Sequence, residues 1–395
     1  MTGPTLRGEA QRSLIPPFHV MDVWAAADER RRTHGDLVNL SAGQPSTPAP
    51  AAVRAAAVEA IGSEVLGYTV ALGIPPLRAA IAAHYGRTYG LAVDPADVVV
   101  TTGSSGGFLL AFLAAFDVGD RVALARPGYP CYRNILTALG CEVVELPCGP
   151  ATRFQPTVEM LDALDEPVQG LIVASPANPT GTVLDPRELA ALAAWCEGNG
   201  VQLVSDEIYH GIGFPGSPAT SCAWETSREA IVVNSFSKYF SMTGWRLGWQ
   251  LVPPRLHRAV DRLAGNFTVC PPALPQHAAL GAFAAESYAE ADSHVQRYRT
   301  NRDLLLDGLP RLGIEKLAPA DGAFYVYADV SHLTGPTTSF DWTYRLLAET
   351  GVAVAPGVDF DPVDGDRWVR LSFAGATEDI AEALRRLGGW LGSGG

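Results

Sequence analysis

Lysine is almost missing from this chain of 395 residues: of its 29 basic residues only Lys238 and Lys316 are lysines, and the rest are arginines. A chain that fills its basic positions with arginine has no solubility reason to keep an amine at position 238. Lysine can lose its proton and attack a carbonyl, and arginine cannot. Other shortages exclude whole classes of function. Positive charge is in deficit, with a formal net charge of −13, so no nucleic-acid partner is expected. The six cysteines include no C-x-x-C pair, and no histidine cluster stands beside them at ligand spacing. They read as reduced core residues, with neither a disulfide frame nor a metal site. Residues 108–116 form the longest strongly apolar run, well short of the roughly 20 residues that span a bilayer. The opening MTGPTLRGEAQRS lacks the apolar stretch of a secretory signal. A cytoplasmic protein with no membrane partner is therefore expected.

What is present suggests an α/β chain. With 47% hydrophobic residues at this length, the chain can hide roughly three quarters of its unfolded surface and is expected to form two domains. Strand-like runs fall at 98–102, 121–125, 142–146, 170–174, 201–205, 231–234 and 248–252. Helical spacing of apolar residues falls at 107–116, 132–139, 186–199 and 255–264. Such alternation predicts a mostly parallel sheet covered by helices on both faces. From about residue 284 the texture changes to a long polar-faced helix (286–309), a strand at 323–330, a helix near 342–350 and a strand at 370–373. This predicts a large domain over 41–283 and a small α+β domain over 284–395. Residues 1–40 read as an arm that completes the small domain, and 392–395 as a frayed tail.

The sharpest motif is SFSKYFSMTGWRLG at 235–248, directly after a predicted strand. Open α/β sheets present their ligand sites at such strand ends. Hydroxyls and aromatics around Lys238 can desolvate its ammonium and lower its pKa. Ser235, Ser237 and Arg246 can bind a phosphate near that amine, arginine with two fixed donors. An amine, phosphate ligands and a strand end together specify pyridoxal phosphate as the cofactor.

The segment resembles the lysine motif of the class I/II aminotransferases, pyridoxal-phosphate enzymes of fold type I, and the resemblance runs from about Asn39 to Ala374. It implies that Lys238 holds the cofactor as a Schiff base and shuttles a proton during transamination. Asp206, in VSDEIY after another strand, would bond the pyridine nitrogen, and Tyr209 the phenolic oxygen. Alternation aims the neighbouring Glu207 at the opposite face. Asn178, in SPANPTG, can donate to the same phenolic oxygen and lies near the substrate. The turn TGSSGG at 102–107 offers bare N–H groups and a helix dipole to an anion, with Ser104, Ser105 and Gly106 as phosphate contacts. Tyr129, in PGYP, matches the aromatic that stacks on the ring. Gly43, in SAGQP, and Arg370, in VRLSF, match the positions that approach and grip the substrate carboxylate. Tyr68 aligns with a tyrosine that reaches the phosphate of a neighbouring subunit, which implies a homodimer with shared sites.

The expected reaction moves an amino group between an amino acid and a 2-oxo acid, within amino acid metabolism. Some relatives that use aspartate carry a lysine in the cup loop, where this chain has Ser105. With the apolar stretch 14–18 nearby, a neutral aliphatic or aromatic donor is expected. A carbon–sulfur lyase of the same fold is the alternative enzyme, since elimination begins from the same carbanion. A ligand-sensing regulator of this fold would carry a DNA-binding domain, for which an acidic chain with so little sequence before Asn39 leaves no place.

Overall fold

The computed structural model describes residues 8–335 and 337–393. Residues 1–7 of the opening segment and the last two of the tail lie outside the described residues. In chain order, β1 (Val38–Asn39) lies apart from the main sheet, which is built from β2 (Val98–Thr101), β3 (Arg121–Arg126), β4 (Glu142–Pro147), β5 (Gly170–Ala174), β6 (Gln202–Asp206), β7 (Ile231–Ser235) and β8 (Gly248–Leu251). The later strands are β9 (Tyr325–Asp329), β10 (Val352–Ala353), β11 (Ala355–Pro356) and β12 (Trp368–Ser372). The helices are α1 (His19–His34), α2 (Ala51–Ser63), α3 (Pro75–Tyr89), α4 (Gly103–Ala115), α5 (Pro130–Leu139), α6 (Val158–Asp162), α7 (Pro186–Asn199), α8 (His257–Phe267), α9 (Ala273–Ala279), α10 (Ala285–Arg311), α11 (Ser339–Thr350) and α12 (Thr377–Gly392).

The main sheet has the order β2-β8-β7-β6-β5-β3-β4. Every neighbouring pair from β7 to β4 is parallel, while β8 is antiparallel to both of its neighbours. The chain is thus α/β with a mostly parallel sheet, as its alternation predicts. Strands β6 and β7 are buried at every residue, which is what helices on both faces require. Helix α7 shows how local chemistry sets an element: Asp185 and Glu188 form a capping box, Pro186 opens the first turn, and Gly200 ends it in a left-handed conformation. A second sheet, β11-β12-β9, is antiparallel, and β1 pairs in parallel with β10.

Cores follow the sheets. Two clusters around the main sheet draw on residues between Ala49 and Tyr288. Another joins Val295 to Trp390 with Val38, Leu40 and the loop residues Ile208, Tyr209, Ile212 and Phe214. The stretch read as an arm contains a 16-residue helix, α1. Its buried residues Val20, Val23 and Ala27 repeat at three and four positions, a narrow stripe hidden in the sequence by the polar run DERRRTH. Among the described residues no helix is long and apolar enough to cross a membrane, and no cluster of three or more His, Cys, Asp or Glu could hold a metal ion.

Candidate active site

The carboxyl ends of the parallel strands converge on one cavity of about 620 Å³. Register brings them together: Asp206 at the end of β6 pairs with Ala174 of β5 on one side and Val233 of β7 on the other. The loops that follow carry Asn178, Tyr209, Ser237 and Lys238 to its wall.

One end of the cavity is built for an anion. Ser104 and Ser105 lie in the first turn of α4, whose N-terminus adds a partial positive charge. Gly103 enters that turn at φ +67°, and a Cβ there would stand 2.6 Å from Arg246 Nη2. The bare backbone is what lets the guanidinium lie against it. A Cβ on Gly248 would stand 2.9 Å from the Ser104 nitrogen, so β8 supports the turn from directly beneath. The Ser237 hydroxyl reaches the wall, and the Ser235 hydroxyl stands behind it at 2.8 Å, donating to the Leu247 carbonyl at 3.2 Å. Ser235 and Gly106 are not on the wall.

Lys238 lies midway. Its Nζ donates to the Gly43 carbonyl at 2.6 Å and stands 5.6 Å from the centre of the Tyr209 ring. Burial, helped by the positive charge of Arg370, lowers its pKa from 10.5 to about 8. At pH 7 about a tenth of this amine is uncharged, several hundred times the fraction of an ordinary lysine. The apoprotein is therefore expected to capture pyridoxal phosphate at a rate that climbs with pH and levels off just above 8. A rate still rising tenfold per unit between pH 9 and 10 would contradict that environment.

Asp206 sits at the far end and is 3% exposed. Its carboxylate accepts from the Tyr132 hydroxyl and from the Ile208 N–H at 3.0 Å. Burial still wins, raising its pKa to about 6, so a cationic partner in the cavity would be strongly favoured. Glu207 turns away, taking the Ala223 N–H at 2.8 Å and the Ser205 hydroxyl at 3.1 Å.

Arg370, on β12, is 2% exposed. It donates to Asn178 Oδ1 at 2.9 Å and to the Ser41 carbonyl at 2.8 Å, and stacks 4.4 Å from the Tyr325 ring and 4.8 Å from the Phe360 ring. Among the described residues its Nε has no hydrogen-bond partner. Such a fixed fork on the wall is suited to a carboxylate. Tyr209 and Tyr325 share a hydrogen bond of 2.7 Å. Tyr129 reaches the wall edge-on to Tyr132, with ring centres 5.4 Å apart. Tyr68 is not on this wall in its own chain and is 89% exposed.

Several wall residues escaped the sequence reading. Tyr132 carried a signal, since it follows Tyr129 by three positions at a helix start and so shares its side. Tyr325 carried none; it meets the site only because β9 pairs with β12. Of the apolar stretch 14–18 expected near the site, Phe18 is on the wall, and Val20, Met21 and Trp24, which no motif singled out, extend it.

Residues 35–387 match the family described as aminotransferase class I and II. The chain is 66% identical over 384 residues to a valine–pyruvate aminotransferase of Mycobacterium tuberculosis, covering 97% of this chain and 98% of that protein. It is 35% identical over 394 residues to an aspartate/prephenate aminotransferase of Thermus thermophilus, covering 98% and 100%. A crystal structure of an aminotransferase from Mycobacterium tuberculosis superposes with a TM-score of 0.97 at 65% identity, covering 98% of this chain and 100% of that one.

Proposed function

The chain belongs to the class I and II aminotransferase family and is a pyridoxal-phosphate-dependent enzyme that moves an amino group between an amino acid and a 2-oxo acid; on that premise we propose that its donor is a neutral aliphatic amino acid such as valine, and its acceptor a small 2-oxo acid such as pyruvate. The observation that carries this reading is the charge on the wall. Among the described residues lining the cavity the cations are Lys238, Arg246 and Arg370, and the side under α1 is Phe18, Val20, Met21 and Trp24. The relative named for valine and pyruvate supports the choice, and its name gives no support to elimination.

The residues present fit the cofactor. The hydroxyls of Ser104, Ser105 and Ser237, the α4 N-terminus with Gly106 in its first turn, and Arg246 make a phosphate cup, with Ser235 supporting Ser237 from behind. Asp206 would supply the anion that a ring nitrogen needs, Tyr209 and Asn178 would bond the phenolic oxygen, and Tyr129 would lie against the ring. When bound, pyridoxal phosphate supplies a carbon that amines attack and a ring that takes up the electrons released with the substrate's α-proton.

The protein's own share follows from the geometry. Once free of the cofactor, the Lys238 amine would take the substrate's α-proton on its Nζ and later release it, as base and then acid. Its lowered pKa of about 8 leaves about a tenth of that amine uncharged at pH 7. Arg370 and the Gly43 backbone orient the substrate carboxylate, with Asn178 holding the arginine fork. The α1 wall excludes water from the reacting carbon.

A buried second carboxylate without a cation costs several kcal/mol by order of magnitude, enough for roughly a hundredfold preference. Comparing kcat/KM for valine, leucine, phenylalanine and aspartate, with pyruvate as acceptor, is expected to put valine about a hundredfold ahead of aspartate. A clear win for aspartate would overturn the proposal.

A homodimer with shared sites is part of the same reading. Tyr68 is exposed, as are the apolar residues Val58, Ile61, Val65 and Val70 within ten positions of it in the chain, exposure that a second copy would relieve. Mixing a Lys238→Ala chain with a Tyr68→Ala chain is expected to restore activity through hybrid dimers that hold one intact site. A sedimenting monomer, or no recovery on mixing, would refute this. The separate cores support a division into parts 41–283 and 284–395, with residues 1–40 attached to the smaller. The cytoplasm is the compartment proposed for a chain with free cysteines throughout.

A further inference from the structure

Beside the active-site cavity lies a second one of about 380 Å³, and Phe18 borders both. The second cavity runs under the segment that precedes α1. Ile15, Pro16, Leu109, Ile135 and Leu139 make it largely apolar. Helix α5 divides the two spaces: Tyr129 and Tyr132 at its start face the active site, and Ile135, Ala138 and Leu139 face the second cavity. Phe18 stands at the gap, edge-on to Tyr129 with ring centres 6.2 Å apart.

The position of Phe18 is fixed relative to the substrate grip. The backbone N–H groups of the next two residues, His19 and Val20, donate to the Asp359 carboxylate at 2.9 and 2.6 Å. Asp359 is 3% exposed, and its neighbour Phe360 is the ring 4.8 Å beneath the Arg370 guanidinium. One short segment therefore sets both the carboxylate grip and the apolar wall.

We propose that Phe18 is a length gauge for the donor side chain, a partition that confines substrates to short aliphatic donors and shuts them out of the second apolar cavity. This rests on the reading of Arg370 as the carboxylate grip and of the donor as neutral. A pocket wall of this kind discriminates by roughly 10–200-fold per group it excludes.

The test is Phe18→Ala, which joins the two cavities. The ratio of kcat/KM for phenylalanine to that for valine should rise at least tenfold. The inhibition constant of 3-phenylpropanoate should fall at least tenfold against that of isovalerate. Adding Ala138→Phe, which fills the second cavity from its far side, should cancel both gains. Asp359→Asn, which loosens the segment while keeping Phe18, should raise the phenylalanine ratio in part. An unchanged ratio in folded Phe18→Ala enzyme, or a gain that survives Ala138→Phe, would overturn the gauge. The inhibitor series can be read against any donor the enzyme turns over, so it reads the gauge even where a win for aspartate has already sunk the proposed donor.

Discussion

Lys238→Arg is expected to leave a folded protein that holds pyridoxal phosphate without turning over, at least about 10⁴-fold below the parent rate, the scale of a lost nucleophile and general base combined. The substitution keeps the positive charge, so it isolates what an amine can do. Guanidinium does not lose its proton in the neutral range. Lys238 is suited to the work because burial and Arg370 bring its pKa to about 8, while its Nζ already stands in the cavity at 2.6 Å from the Gly43 carbonyl. Single-turnover rates with valine, read by the cofactor's absorbance, check the claim. A variant within tenfold of the parent would mean that the proton travels through another group.

Asp206→Asn should be the second most damaging change, with half-reaction rates down roughly 10²–10³, the scale on which a single charged group at a reacting centre acts. An amide has the shape of the carboxylate without its charge. It cannot hold a proton on the ring nitrogen, and the ring becomes a poorer electron sink. Burial holds the Asp206 pKa up at about 6, against the bonds from Tyr132 and Ile208. A bound cation should pull it back down, so cofactor affinity ought to weaken below about pH 6, where the carboxylate takes up its own proton. Asparagine at 206 should remove that pH dependence together with the rate. Near-parental rates would place the proton-holding role elsewhere, Glu207 being the nearest carboxylate in the chain.

The parts of this account that could be read from sequence are those set by local chemistry. A loop after a strand can be recognised with no knowledge of the sheet, and the stretches around Lys238, Asp206, Asn178 and Ser104 all have that form. Burial on both faces gave β7 its apolar run over 231–233. Strand direction is different, since it depends on partners far away. The reversal of β8 nevertheless left a trace: only residues 236–247 separate it from β7, scarcely enough for the helical crossover that a parallel neighbour needs. Helix α1 was hidden because three small-to-medium apolar residues are a weak stripe in a polar stretch. The wall it forms, and the arrival of Tyr325 beneath Arg370, are products of tertiary packing, and no local pattern announces them. Ser235 shows the reverse limit: motif reasoning put its hydroxyl on the phosphate, whereas the strand end turns it inward to support Ser237.

The central claim is that the chain's chemistry runs through one amine. Its most direct test is borohydride reduction of the yellow holoenzyme, followed by mass mapping of its peptides. The account predicts cofactor mass on the peptide that contains Lys238 and none on the peptide that contains Lys316, whose side chain is 75% exposed beside Asp329. Label on Lys316, or an unlabelled Lys238 in active enzyme, would contradict it.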